Sequence, residues 1–158
     1  MKTLGVFITL LILSACQAGR GNMNNLEIIK STYQGKTSQE NSENLMASLD
    51  EKVIWIEADG FPLAGTYIGK QAINDGVFTQ LSKQWANYQI EVEQYVAQDD
   101  NVIALGSYSG IYKKTGIAFQ ARVAHHWQLK NGKVTRFEQF VDSVPIVRAM
   151  QTDIALEY

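Results

Sequence analysis

One cysteine, two prolines and two histidines are all that this 158-residue chain has of those residue types, and each scarcity closes off a class of protein. With Cys16 alone, no internal disulfide can form. On similar grounds, a zinc centre is not expected. His125 and His126 are adjacent, so in a strand they point to opposite faces, and neither a third histidine nor a second cysteine exists to complete a ligand set. Charge of one sign is also missing: 14 Lys and Arg against 16 Asp and Glu give a net charge of −2, with no basic stripe of the kind nucleic acid requires. No metal, cofactor or nucleic acid is therefore expected. Gly65 to Gln71 (GTYIGKQ) falls one residue short of a phosphate-binding loop and carries Gln71 where a magnesium-binding Ser or Thr is needed. Internal repeats, low-complexity tracts and nucleophile motifs are absent as well.

The one long apolar run, Leu4 to Ile12, is too short to span a bilayer as a mature helix. Preceded by Lys2 and followed by the small residues Ser14 and Ala15, it reads as a secretory signal over residues 1–15. Leu13-Ser14-Ala15-Cys16 resembles a bacterial lipoprotein processing box, which implies cleavage before Cys16, lipidation of its thiol and a lipid-anchored protein of the bacterial cell envelope. Residues 16–25 are small and polar and suit a tether. Residues 26–150 form one domain, and 151–158 a tail.

Within the domain, Leu26, Ile29 and Tyr33 recur at helical spacing, predicting a short helix that ends near Gly35 with Tyr33 at its inward tip. Leu45, Met46 and Leu49 mark a second helix after the polar stretch of residues 36–44. Val53 to Glu57 reads as a strand with Val53, Trp55 and Glu57 on one face, which sets a carboxylate beside an indole. A loop over residues 58–64 leads to a short strand, Gly65 to Ile68, and then to a helix over residues 70–85 with Ile73, Val77, Leu81 and Trp85 at i+4. From Asn87 onward the pattern is strand, with Gly106 and Gly110 inside one of them marking a bend, bulge or close approach. The expectation is an α+β fold: a curved antiparallel sheet forming a cone, packed against three N-terminal helices.

Most of the plausible chemistry lies in residues 118–143. Asn131-Gly132 is a type I′ turn signal, pairing Lys130 with Lys133. Strict alternation from that turn sets Trp127 opposite Arg136, His125 opposite Glu138, Val123 opposite Phe140 and Ala121 opposite Asp142, all on one face. With Trp55, the residues Val123, Trp127, Arg136, Glu138 and Phe140 would wall a ligand pocket. His125 and Glu138 could instead simply satisfy one another, and a bulge in either arm would flip part of the assignment. On the other face, Ala124, His126 and Gln128 opposite Gln139, Phe137 and Thr135 make a mixed surface suited to a subunit interface.

The order of elements, together with Phe61 to Ile73 (FPLAGTYIGKQAI) and His125 to Ser143 (HHWQLKNGKVTRFEQFVDS), resembles the SnoaL-like branch of the nuclear-transport-factor-2-like superfamily, which includes ketosteroid isomerase and polyketide cyclases. The resemblance implies a cystatin-like cone that forms homodimers. Carried over, it places Tyr33 as an oxyanion-binding tyrosine, Glu57 as the base, His125 where the isomerase has a protonated aspartate, and Asp142 where the cyclases have an acid/base aspartate. That isomerase aspartate is a known example of a carboxyl kept neutral to donate a hydrogen bond. A neutral histidine can donate too, though steroid isomerisation is not implied. Asp142 could equally cap a helix beginning near Ser143.

These readings converge on a small, mostly apolar ligand that is isomerised, cyclised or hydrolysed by general acid/base chemistry without a cofactor. Glu57 is the expected base, Tyr33 and His125 are donors, and Asp142 orients His125 or water. The alternative is a non-catalytic ligand-binding or protein-interaction module on the same fold.

Overall fold

A computed structural model of the protein describes residues 24–151. The expected signal peptide, Cys16, most of the tether and the tail beyond residue 151 lie outside the described residues. Asn24 accepts from the Glu27 amide and caps α1 (Asn25–Ser31), with Ile28 and Ile29 on its buried side. Thr37 caps α2 (Ser38–Ser48) by accepting from the Glu40 amide at 3.1 Å, while the Glu40 carboxylate accepts from the Lys36 amide at 2.7 Å. This reciprocal cap starts the helix inside the stretch expected to precede it. Leu49, expected on that helix, instead opens β1 (Leu49–Glu57) and is buried there.

A short β2 (Gly65–Ile68) leads into α3 (Lys70–Ile73), a π-helical turn (Asn74–Phe78) and α4 (Thr79–Gln84), together the expected third helical stretch. Then come β3 (Trp85–Gln98), β4 (Asn101–Tyr112), β5 (Ala118–Lys130), β6 (Lys133–Val141) and α5 (Ser143–Ala149). The six strands form one curved, unclosed sheet in the order β2-β1-β6-β5-β4-β3. The sheet is mixed rather than wholly antiparallel, because β1 runs parallel to β6 while its other neighbours pair antiparallel. Part of its curvature has a local source. The β3–β4 register shifts between Val92 and Gln94, and a side chain on Gly106 would collide with the Glu91 backbone there. Gly106 is thus the close approach that a strand glycine signals.

The Asn131-Gly132 turn forms with both residues at positive φ, 53° and 73°, and Lys130 pairs with Lys133 as expected. Two residues later the alternation breaks. The register shifts between Gln128 and Leu129, so Thr135 is the extra residue of a bulge, and beyond it Trp127 faces Phe137, His125 faces Gln139 and Ala124 faces Phe140. The bulge corrects three expected pocket residues at once: Arg136, Glu138 and Phe140 are on the outer face, and Phe137 and Gln139 are inside. The physical reason is burial. Strict alternation would put an arginine and a glutamate into the core and Phe137 in water. The bulge leaves Arg136 and Glu138 half-exposed and paired at 3.0 Å and buries Phe137, worth roughly 2 to 3 kcal/mol for such a side chain before the cost of buried charge is counted.

The interior holds two apolar clusters. One is built on Ile29, Leu49, Val53, Trp55, Trp127 and Phe137, the other on Phe61, Trp85, Tyr108, Tyr112, Phe119 and Ile146. His125 lies where they meet, its ring 4.9 Å from Phe137 and 6.0 Å from Trp127 on one side and 5.5 Å from Tyr108 on the other.

Candidate active site

Glu57 is the last residue of β1 and only 3% exposed. Alternation along the strand turns Val53, Trp55 and Glu57 inward together, so the carboxylate two residues on meets the indole. Trp55 Nε1 donates to Glu57 Oε1 at 2.7 Å. The second oxygen, Oε2, is buried and has no hydrogen-bond partner among the described residues. Burial lifts this carboxyl from 4.5 to about 7, against the smaller opposing effect of the Trp55 hydrogen bond. The indole itself is fixed by Phe137, stacked at 3.8 Å.

The second polar group is a chain of side chains across the sheet. Tyr33, just past the end of α1, brings its Oη to 2.6 Å from His125 Nδ1 and accepts from Trp127 Nε1 at 3.0 Å. On the far side of the imidazole, Tyr108 Oη lies 2.5 Å from Nε2 and accepts from Gln139 Nε2 at 3.2 Å. Gln139 Oε1 in turn accepts from the backbone N–H of Ala58, next to Glu57, at 3.4 Å. Burial holds His125 near pKa 3, so the ring is neutral at any ordinary pH. Burial also raises both phenols well above their usual range. For Tyr33 the next cause is Tyr108, and for Tyr108 it is the charge of Glu57. Tyr88 packs on Tyr108 with ring centroids 5.1 Å apart; burial raises its phenol, and the neighbouring Tyr108 hydroxyl adds to the rise.

Of the expected site residues, Glu57, Tyr33, His125, Trp55, Val123 and Trp127 thus share the interior. Asp142 does not join them. Its side chain is exposed and accepts from the Val144 amide at 3.2 Å, capping α5. It makes no hydrogen bond to His125, whose two nitrogens face Tyr33 and Tyr108. Nor can His125 donate to a ligand directly, since both its nitrogens are occupied by tyrosines. Tyr108, Gln139 and Tyr88 were missed. Tyr108 was within reach, because Val102, Ala104, Tyr108 and Tyr112 follow the buried parity of β4. Gln139 becomes visible only with the bulge, whose sequence signal is that Val134 and Phe137 demand the same face while standing three apart.

Among the described residues, no group of three His, Cys, Asp or Glu is placed to hold a metal ion, and no helix is long and apolar enough to cross a membrane.

Comparison with known proteins fits this architecture. The model of the SnoaL-like domain family matches residues 33–137. A crystal structure of an NTF2-like protein from Burkholderia thailandensis is 35% identical, with a TM-score of 0.76 over 80% of this chain and 97% of its own. TerC, co-crystallised with polyporic acid, is 22% identical with a TM-score of 0.70 over 80% of this chain and 97% of its own. A Catenulispora acidiphila protein with a ketosteroid isomerase-like fold, in complex with trimethylamine, is 15% identical with a TM-score of 0.59 over 72% of this chain and 84% of its own. Among curated proteins none matches the chain.

Proposed function

Because the chain belongs to the SnoaL-like domain family, we propose that its cone binds a small, mostly apolar carbonyl compound and moves a proton on it, as an isomerase or cyclase does. One observation carries this reading: a buried carboxylate with one oxygen held by an indole and the other without a partner among the described residues, its pKa pushed up by burial to about 7. A base tuned near the working pH is effective because it is ionised when needed and still basic. In the reaction, Glu57 Oε2 takes a proton from the carbon beside the carbonyl, leaving the carboxyl neutral and the electron pair on the carbonyl oxygen as an enolate. A tyrosine hydroxyl of the His125 network donates to that oxygen. Return of the proton to a different carbon completes an isomerisation, whereas attack of the enolate carbon on a second carbonyl carbon closes a ring, that carbonyl's oxygen taking the displaced electron pair and the proton from Glu57. Ligands held by proteins of the same fold, polyporic acid in TerC and trimethylamine in the Catenulispora protein, support small-molecule binding.

Deuterium exchange tests the reaction without knowledge of the natural substrate. Cyclic ketones incubated with the protein in D2O should take up deuterium beside the carbonyl, and Glu57→Gln should slow uptake about 10²-fold or more. Uptake unaffected by that substitution would remove Glu57 as the base, and a panel of ketones with no uptake at all would favour a binding module.

We further propose that the protein is anchored through a lipid on Cys16 in the bacterial envelope, on the strength of Leu13-Ser14-Ala15-Cys16 after an apolar run. We propose too that two copies pair through the outer face of the sheet. That face carries Leu105, Ala124 and Phe140 about a shallow groove, with Phe140 53% exposed.

A further inference from the structure

A neutral imidazole carries one ring proton, so one nitrogen of His125 donates and the other accepts. Both nitrogens face a tyrosine hydroxyl, Nδ1 at 2.6 Å from Tyr33 and Nε2 at 2.5 Å from Tyr108. Each hydroxyl oxygen already receives another N–H, from Trp127 at 3.0 Å and from Gln139 at 3.2 Å. The Gln139 amide cannot be turned around. Its Oε1 accepts from the Ala58 backbone N–H, a group that only donates.

Counting protons leaves two states. With the ring proton on Nδ1, Tyr33 Oη accepts from His125 and Trp127 and its own O–H is left over, while Tyr108 donates to Nε2. With the ring proton on Nε2, Tyr108 Oη accepts from His125 and Gln139 and its O–H is left over, while Tyr33 donates to Nδ1. In the first state the Tyr33 O–H lacks an acceptor within the network, and in the second the Tyr108 O–H has only the neighbouring Tyr88 hydroxyl beside it. Passing from the first to the second, Tyr33 gives up its free proton and takes the one on Nδ1. Nε2 takes the proton of Tyr108, and Tyr108 is reprotonated. One proton leaves at Tyr33 and one arrives at Tyr108, exchanged with the bound molecule or with water, and the three residues keep the same total.

We propose that His125 is a positioning residue, a neutral tautomeric selector that decides whether Tyr33 or Tyr108 offers its hydroxyl to an acceptor oxygen of the bound molecule. The proposal rests on reading the interior as a ligand site. It adds that the ligand must present an acceptor, such as a carbonyl oxygen, at one of two places rather than a further donor. Tyr108 thereby becomes a ligand-facing donor equal in standing to Tyr33.

The test is nitrogen NMR on protein labelled with ¹⁵N-histidine, with His126→Gln used to assign the two rings. In the parent without any added ligand, His125 should stay neutral from pH 8 down to pH 5, with one nitrogen protonated on average. Tyr33→Phe and Tyr108→Phe should then drive it into opposite tautomers. Each substitution leaves one ring nitrogen facing a phenyl, where an N–H is fixed in direction and finds no acceptor, whereas the surviving tyrosine O–H turns about its C–O bond to a neighbouring hydroxyl or to water; the ring proton therefore moves to the nitrogen facing the surviving tyrosine: Nε2 in Tyr33→Phe, Nδ1 in Tyr108→Phe. The same tautomer in both variants, or a doubly protonated ring in the parent at pH 5, overturns the proposal. The parent spectrum can overturn the proposal even if a variant does not fold. Because no ligand is present, failure here is distinct from failure of the carbonyl-compound reading, which shows in deuterium uptake.

Discussion

Glu57→Gln should make the protein more stable relative to its parent as the pH rises, and the size of that change follows from the site. In the unfolded chain the carboxyl titrates near its ordinary value of 4.5, but in the fold burial carries it to about 7. Between those values the native state holds a proton that the unfolded state has lost, so stability contributed by this group falls as pH rises through the window. At about 1.4 kcal/mol per pH unit, the displacement costs the parent about 3 kcal/mol once Glu57 is fully ionised. Glutamine keeps an oxygen for the Trp55 indole, which accounts for the 2.7 Å bond, and it does not titrate. His125 works in the opposite sense. Its pKa is depressed from 6.5 to about 3, so its contribution is lost as pH falls through that range, and over the pH range where the two windows overlap the slopes offset each other in the parent. The variant-minus-parent difference isolates Glu57, because His125 is common to both. Urea unfolding of parent and variant at pH 4.5 and pH 8 should show that difference growing by about 3 kcal/mol in favour of glutamine. A difference that stays the same at both pH values would mean that Glu57 is not a desolvated carboxyl, and the case for a base at this position would fail with it.

Asp142→Ala should cost about 1 kcal/mol of stability through the lost cap on α5 and leave deuterium uptake unchanged; loss of uptake in a folded protein would restore it to the site. Light scattering at micromolar concentration should give a dimeric mass for the parent and a monomeric one for Phe140→Glu, and a monomeric parent would refute pairing through the outer face. Cys16→Ser should release the protein from bacterial membranes, whereas a variant as membrane-bound as its parent would exclude the lipid anchor.

The parts of the fold that were legible in the sequence are those governed by local chemistry. Asn131-Gly132 dictated its turn, the alternation of Val53, Trp55 and Glu57 dictated which side chains meet, and the periodicity through Ile73 and Val77 gave the helical stretch its buried side. What escaped depended on contacts between distant segments. The parallel pairing of β1 with β6 leaves no local mark, and Leu49 continues a helical stripe until the strand it joins takes it over. Tyr88 and Tyr108 are unremarkable aromatics among many until the sheet brings Glu57 near them. The capping role of Asp142, by contrast, was one of two readings open from its position before Ser143, and geometry chose between them.

The bulge at Thr135 connects the largest misreading to the chemistry. Without it, Arg136 would point into the same interior as Glu57, and a guanidinium within about 4 to 6 Å holds a carboxylate ionised and depresses its pKa. With it, Arg136 pairs with Glu138 on the outer face, and the inward position goes to Gln139, a neutral amide that anchors Tyr108 to the backbone beside Glu57. One inserted residue thus removes a cation from the site, supplies the donor that leaves Tyr108 with a spare proton in one tautomer of His125, and preserves the desolvation that raises Glu57. The register shift and the raised carboxyl are therefore linked, because strict alternation would have set Arg136 inside with Glu57 and removed the cause of the rise.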